Sequence, residues 1–459
     1  MRDRVLTWEV PGAVAGDAAF AALFSGARDA FWLDTGGVAG GVSYLGQAAW
    51  SITAEEIREA GYDVFSWLQA ERGRWDVDTS DTPAGFTLGL VGWFGYELYA
   101  ETLGIDARYA RRYPDAAFMM IDRALSIDHS TGRAQLIARG RAWDGELAAW
   151  RDATLATLAE LDSQVGELPE LEPRELDVRW RYPDAEYLAM IRSCKHSIAD
   201  GDAYVLCLTT EATVAGRFDP WDVYRRLRRT SPSHHGAFLK TGDLALLSAS
   251  PEQFLEVTRE GRVTTKPIKG TRPRGRTAEE DVALAEELRT DAKERAENVM
   301  IVDLMRNDLH RVCEIGTVEV VKLLDVETYP PVHQLVSTVT GRLAPGKDCV
   351  DAIRSCFPAG SMTGAPKHSS VTILRDLEQR SRGVYSGAFG YLGFDGAVDL
   401  AMTIRSIVID GDGATIGTGG GITALSDPEQ ELEETRIKAA ALLRSLAVSA
   451  PAGEPSLAP

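Results

Sequence analysis

The sequence predicts an α+β fold with large antiparallel sheets and flanking helices. Three observations carry this reading. Segments with a helical period (184–199, 277–308, 371–380 and 428–448) are interspersed with short apolar runs of strand length. Strands and helices do not alternate strictly, which argues against a parallel sheet built from βαβ units. The stretch 384–418 is a glycine-rich succession of apolar runs, the pattern of antiparallel strands joined by tight turns.

In the first half, 31–34 and 41–45 are apolar runs bounded by glycine pairs and read as strands. The stretch 89–98, GLVGWFGYEL, is apolar, aromatic and glycine-spaced, which fits close backbone approach in a packed sheet. Residues 117–127 and 134–138 read as a strand pair around Ser130-Thr131-Gly132, and 143–161 as a helix. An acidic, proline-bearing stretch at 160–175 marks a connection between two units. The expected division is an N-terminal unit over 1–165, a linker over 166–180, a second unit over 181–446 and a disordered tail over 447–459. The second unit opens with a helix over 184–199, with Tyr187, Leu188, Ile191 and Ile198 on one face and Asp184 as N-cap. Strands follow at 204–208, 245–248 and 254–257, then a long helix over 277–308 broken near Thr290.

The chain has 459 residues, 44% hydrophobic and 25% charged, which is ordinary globular composition. Its formal charge is 49 − 68 = −19, so nucleic acid is not an expected partner, and an anionic substrate must meet a locally positive pocket. No stretch approaches 18 apolar residues, so no membrane span is expected, and the start shows no apolar leader. The five cysteines fit neither a zinc ribbon nor a CxxC pair. Buried, reduced cysteines in a cytoplasmic enzyme are the expectation.

Four motifs carry chemistry. KPIKGTRPRG (266–275) places Lys269 between an apolar residue and a glycine, at the end of a strand, with arginines around it. Burial there lowers an amine pKa and frees a nucleophile, and Arg272 and Arg274 push the same way. Glu294 and Glu297 lie three apart on one helix, and Glu431 and Glu434 three apart on another. Two such pairs can build an oxygen cage for Mg²⁺. The run GTGGGITA (417–424) offers backbone N–H groups of Gly419, Gly420 and Gly421 to an anion, and Arg405 just upstream can grip a carboxylate bidentately. FPAGSMTGAPKHSS (357–370) reads as a glycine-rich loop opening a helix, a further anion-ready site. Together they imply one pocket for a small polycarboxylate.

These residues lead to a family. Over 182–446 the chain resembles the chorismate-utilising enzymes, in particular the large subunits of anthranilate synthase and aminodeoxychorismate synthase. The resemblance runs through SPEQF, PIKGTRPRG, KERAENVMIVDLMRNDL, ETYPPVHQLVSTVTG, FPAGSMTGAPK, GVYSGAFGYLGF, TIRS and GGGITALSDPEQELEET, in family order. The first half is similar through FWLDTGG, VSYLG and GLVGWFGYEL. It implies an anthranilate-synthase-like fold whose N-terminal subdomain has room for an effector pocket.

Residue choice separates the branches. Anthranilate synthases carry an alanine where this chain has Lys269, so PIKGT resembles aminodeoxychorismate synthase component I. That branch implies a covalent lysine that adds at C2 of chorismate as the C4 hydroxyl leaves, after which ammonia adds at C4 and expels it, on the way to p-aminobenzoate. The resemblance further implies Glu297 and Glu434 as direct Mg²⁺ ligands with Glu294 and Glu431 supporting them. It implies Arg405, Gly420 and Lys438 as carboxylate binders, Thr271 and Ser361 as pocket neighbours, and Glu252 as general acid. Isochorismate and salicylate synthases carry a water-activating lysine where this chain has Val205, so water attack at C2 is not expected. Gln334 stands where anthranilate synthases carry a histidine, and His333 beside it receives no catalytic role. No cysteine sits in a glutaminase elbow, so ammonia is expected from a separate glutamine amidotransferase subunit or from solution. The rivals are an anthranilate synthase large subunit and a non-catalytic chorismate- or tryptophan-binding subunit. The second is disfavoured by the presence of Lys269, Glu252 and both acidic pairs.

Overall fold

The computed structural model describes residues 2–35, 40–82, 85–161, 176–329 and 332–446. Its strands form two sheets, one of 13 and one of 10, flanked by helices, and all adjacent pairs but one are antiparallel. The α+β expectation holds. The sheets stack through a common core. Phe31, Leu239 and Leu246 of the larger sheet and Trp93, Phe118 and Leu400 of the smaller belong to one buried cluster. Alternation along the strands then sends Trp32, Phe238 and Leu247 to the opposite face of the larger sheet, against Phe20, Tyr224 and Leu442 of three helices.

Strands from 1–165 and from 181–446 share both sheets. Asp29–Asp34 pairs with His235–Thr241 in the larger sheet, and Gly89–Phe94 pairs with Ala388–Gly393 in the smaller. The sequence division therefore does not divide the sheets. Part of the expected linker, Val178–Trp180, is a strand on Val205–Ala215. Its residues 166–175, and the tail 447–459, lie outside the described residues.

Two apolar runs, 117–127 and 400–409, each cross between sheets. The run 117–127 divides into Ala116–Ile121 in the smaller sheet and Arg123–Asp128 in the larger. The run 400–409 divides into Val398–Met402 and Ser406–Ile409, and Arg405 makes the corner with φ +50°. Asp184 is the first residue of its helix rather than a capping side chain; Pro183 precedes it and no side chain caps that end.

The break near Thr290 is real. Helix Ala278–Thr290 ends, and Asp291 caps the next, Ala292–His310, accepting from the N–H groups of Lys293 (2.9 Å) and Glu294 (3.0 Å). The buried stripe of this second helix is Glu297, Ile301, Leu304 and Asp308, so its acidic face is turned inward. Helix Pro428–Ser445 is built the same way. Asp427 caps it, proline fills its first turn, and Glu431, Thr435, Ala439 and Leu442 are buried.

Candidate active site

A cavity of about 510 Å³ opens between these two helices and the strands Val205–Ala215, Ile268–Pro273, Val332–Arg342 and Gly413–Ile422. It is lined by every site residue the sequence singled out: Glu252, Lys269, Thr271, Glu294, Glu297, Ser361, Arg405, Gly419, Gly420, Gly421, Glu431, Glu434 and Lys438. Residues separated by up to 186 positions thus share one wall, because strand pairing and the two buried acidic stripes bring them there.

Lys269 sits in strand Ile268–Pro273, whose register slips at Gly270, a glycine with φ +78°. A side chain at Gly270 would run into Leu288 and the Glu294 carboxylate, at 2.7 and 3.0 Å. Asn298 ties this strand to the helix behind it through Pro267 O (3.5 Å), Leu335 O (3.4 Å) and Ser337 Oγ (2.5 Å). The Lys269 ammonium lies 4.0 Å from Glu297 Oε2. Burial disfavours its charge, yet Glu297, with Cys207, Glu252 and Glu294, outweighs burial and holds the amine above the ordinary lysine value. The expectation of a lowered pKa is corrected: sequence showed the burial but not the carboxylates that fold against it. Arg272 and Arg274 do not lower it either. Arg272 is engaged by Glu287 and Asp291 (2.9 and 3.1 Å), and Arg274 by Asp281 (2.7 Å).

Glu252 is 7% exposed, and burial pushes its carboxyl up to about 7, against the pull of Lys269, a Ser361 hydrogen bond and the Ile268 backbone. Glu297 is likewise pushed up to about 7, by burial first, with Lys269 and Lys293 opposing and Glu294 and Glu431 adding to it. Glu434 is held low because Lys438, 2.7 Å away, outweighs its burial.

The glycine run is a strand, not a loop. Gly413–Ile422 pairs along its length with Val205–Ala215, and its other edge loses its partner after Thr415. Lys438 donates to Gly419 O (3.0 Å) on that open edge. A strand residue sends its N–H and C=O to the same edge, so Gly417, Gly419 and Gly421 direct their N–H groups there. Gly420 and Gly421 leave room in the cavity. A Cβ on Gly420 would approach Glu431 Oε2 to 3.0 Å. One on Gly421 would lie 3.3 Å from Glu297 Oε2, 3.5 Å from Lys269 Nζ and 3.6 Å from Val205 Cγ2. Val205 is therefore an apolar wall across from Lys269.

Arg405 is held only by Lys438 O at 3.4 Å, and among the described residues no carboxylate lies within ion-pairing distance of its guanidinium. A half-buried arginine left without an anion is poised for a ligand carboxylate. Ser361 and Met362 enter from a short 3₁₀ turn, Gly360–Met362. The helix after it does not offer a bare N-terminus. Lys367 occupies its first turn, and its ammonium is buried against Asp308 (2.6 Å) and Cys356 O (2.8 Å), so of the motif 357–370 it is Ser361 and Met362 that line the cavity. His333 is 2% exposed and bonds Asp281 Oδ1 (2.9 Å) and Thr328 Oγ1 (2.8 Å), away from the cavity that Gln334 lines.

Among the lining residues that the sequence reading did not single out are Cys207, Lys293, Tyr385 and Ile404. Lys293 was legible as the residue four before Glu297 on one helix face. Tyr385 was not, since its ring fills the space over Gly417 across the fold. All five cysteines are buried and free.

The oxygen-rich wall has the donor chemistry of a hard divalent cation. Among the described residues, no three acidic, histidine or cysteine groups converge closely enough to hold a metal as they stand. Lys293 reaches Glu431 Oε1 at 2.7 Å and Glu297 Oε1 at 4.0 Å, an ammonium lying between the two acidic pairs. Among the described residues, no helix is long and apolar enough to cross a membrane.

The sequence profile of the chorismate binding enzymes matches residues 28–444. The aminodeoxychorismate synthase of Streptomyces griseus is 43% identical over 99% of this chain and 66% of its own. The anthranilate synthase component 1 of Arthrobacter globiformis is 39% identical over 81% of this chain and 73% of its own. Among solved structures, anthranilate synthase component I from Streptococcus pneumoniae superposes with a TM-score of 0.72 at 29% identity, covering 96% of this chain and 92% of that one. The chain spans 66% of the Streptomyces aminodeoxychorismate synthase and 43% of the chloroplastic one from Arabidopsis thaliana, so those relatives are longer proteins.

Proposed function

Because the chain belongs to the chorismate binding enzyme family, we propose that it aminates chorismate at C4, the reaction of aminodeoxychorismate synthase component I, for p-aminobenzoate formation. The observation that carries this is Lys269, whose amine stands in the cavity beside Glu252, Glu297 and the open glycine edge. Val205 supports it, because no side chain there can activate water.

Arg405 and Lys438, with the N–H groups of the glycine edge, grip the substrate carboxylates. Mg²⁺ held by Glu297 and Glu434, with Glu294 and Glu431 behind them, would neutralise the acidic wall and draw in a ring carboxylate. Lys269 enters charged, held by carboxylates, and becomes a nucleophile only after losing its proton. Glu252, with a carboxyl near 7, accepts that proton and returns it to the C4 hydroxyl. The amine bonds to C2, both ring double bonds shift by one position, and the C4 oxygen leaves as water. Ammonia then bonds to C4, both double bonds shift back, and the C2–nitrogen bond breaks to free Lys269. The net change is chorismate plus ammonia to 4-amino-4-deoxychorismate plus water. A separate glutamine amidotransferase supplies the ammonia in this reading.

The test is product analysis of the purified chain with chorismate and ammonium, with and without Mg²⁺. Mass spectrometry should show the 4-amino product only with Mg²⁺, and glutamine should not replace ammonium. With ammonia withheld, the intact protein should gain an adduct on Lys269. Fluorescent anthranilate as the main product would move the chain to the rival branch.

A further inference from the structure

Each glutamate of the acidic wall is faced by at least one cationic side chain. Lys269 faces Glu297 (4.0 Å), Lys438 faces Glu434 (2.7 Å), Arg272 faces Glu294 (3.9 Å) and Lys293 faces Glu431 (2.7 Å). Three of these are fixed. Lys269 is 13% exposed on its strand, Lys438 pairs within its own helix and also binds Gly419 O, and Arg272 is shared with Glu287 and Asp291. Lys293 differs. Its ammonium crosses from one helix to the other and lies within 4.0 Å of Glu297 as well, so it occupies the seam between the pairs. Ser426 Oγ donates to the same Glu431 Oε1 at 2.6 Å, so that carboxylate keeps a partner if the lysine departs.

Lys293 also has somewhere to go. Its side chain is 35% exposed. It lines both the main cavity and an adjoining groove of about 300 Å³, formed by Ile198, Ala203, Tyr204, Met300 and Leu425. Such a groove suits the four methylenes of a lysine, with its ammonium in water.

We propose that Lys293 is a displaceable counter-cation, which holds the two acidic pairs together when no divalent ion is bound and moves into the neighbouring groove when one binds. The inference rests on the Mg²⁺ reading above. It makes Lys293 a positioning residue that competes with the metal and so keeps affinity for the bare ion low.

Calorimetric titration of the full chain with Mg²⁺, without chorismate, tests it. Lys293→Met should bind Mg²⁺ roughly tenfold more tightly than the parent, since a competing charge at contact distance is gone. Lys293→Arg, which keeps the charge, should stay as weak as the parent. In EDTA, Lys293→Met should melt below the parent and recover when Mg²⁺ is added, because four carboxylates then lack one partner. Unchanged or weaker binding by Lys293→Met, with binding lost in Glu297→Gln, overturns the inference alone. So does Lys293→Arg binding as tightly as Lys293→Met. Binding unmoved by Glu297→Gln overturns the metal reading and this inference with it.

Discussion

Behind the cavity lies a second buried charge cluster, and the two are finished differently. On Arg382 every guanidinium donor is used. Its guanidinium bonds Glu378 Oε2 (2.9 Å) and Oε1 (2.7 Å), Met362 O (2.7 Å), Cys207 O (2.8 Å) and Ser386 Oγ (3.4 Å), and lies 4.2 Å from the centre of the Tyr96 ring. Glu378 accepts in addition from Thr209 N and Oγ1, both at 2.9 Å. In the cavity, Lys269 stands 4.0 Å from its carboxylate, Arg405 has no carboxylate partner among the described residues, and Glu252 and Glu297 are pushed up to about 7. Complete pairing gives a rigid floor. Incomplete pairing leaves groups whose needs a ligand meets.

Stability measurements can break this contrast. Arg382→Met takes from buried Glu378 the guanidinium that bonds both of its oxygens, and urea unfolding should show a loss of about 3–5 kcal/mol. Parent-like stability would mean the network is dispensable. Glu97 comes next. It accepts from Arg382 N (2.7 Å) and Gly383 N (2.9 Å), and burial raises its carboxyl to about 7 from an ordinary 4.5. A raised folded pKa favours the protonated fold, so its contribution is full below about pH 4.5 and lost as pH rises through about 7. Relative to Glu97→Gln, the parent should lose on the order of 3 kcal/mol across that window. A flat difference would show that Glu97 titrates normally.

Thr209→Val removes one hydroxyl bond to Glu378 and one from Arg380 (3.1 Å), and should cost about 1–2 kcal/mol in the same unfolding assay. Lys269→Met should change stability least, within about 1 kcal/mol, because its ion pair is long and Glu297 can take up a proton instead. The same variant should lose the 4-amino product altogether. A large stability loss in Lys269→Met would place that lysine with the floor rather than with the chemistry.

The sequence showed which residues meet in the cavity better than it showed the strands that carry them. Motif residues were legible one by one, and the acidic pairs at i, i+3 spacing were legible as pairs. The runs 117–127 and 400–409 concealed sheet changes because they are apolar on both sides of the crossing, so no break in period marks it. The corner at Arg405, which brings its guanidinium to the cavity, is invisible for the same reason. The electrostatics of Lys269 failed to show because all four groups that set it, Glu297, Cys207, Glu252 and Glu294, are brought up from other elements of the chain.

The shared sheets also govern how the chain can be made. The strand Gly89–Phe94 gains its Ala388–Gly393 neighbour only when nearly 300 further residues have been synthesised, and Val205–Ala215 waits about 200 residues for Gly413–Ile422. Until then, long apolar edges made early are left open on the ribosome. Pairings so distant along the chain slow folding and leave a nascent protein dependent on protection from aggregation. A ribosome that stops before residue 413 releases a chain with most of its core residues, Lys269 included, but without the glycine strand that forms the opposite side of the cavity.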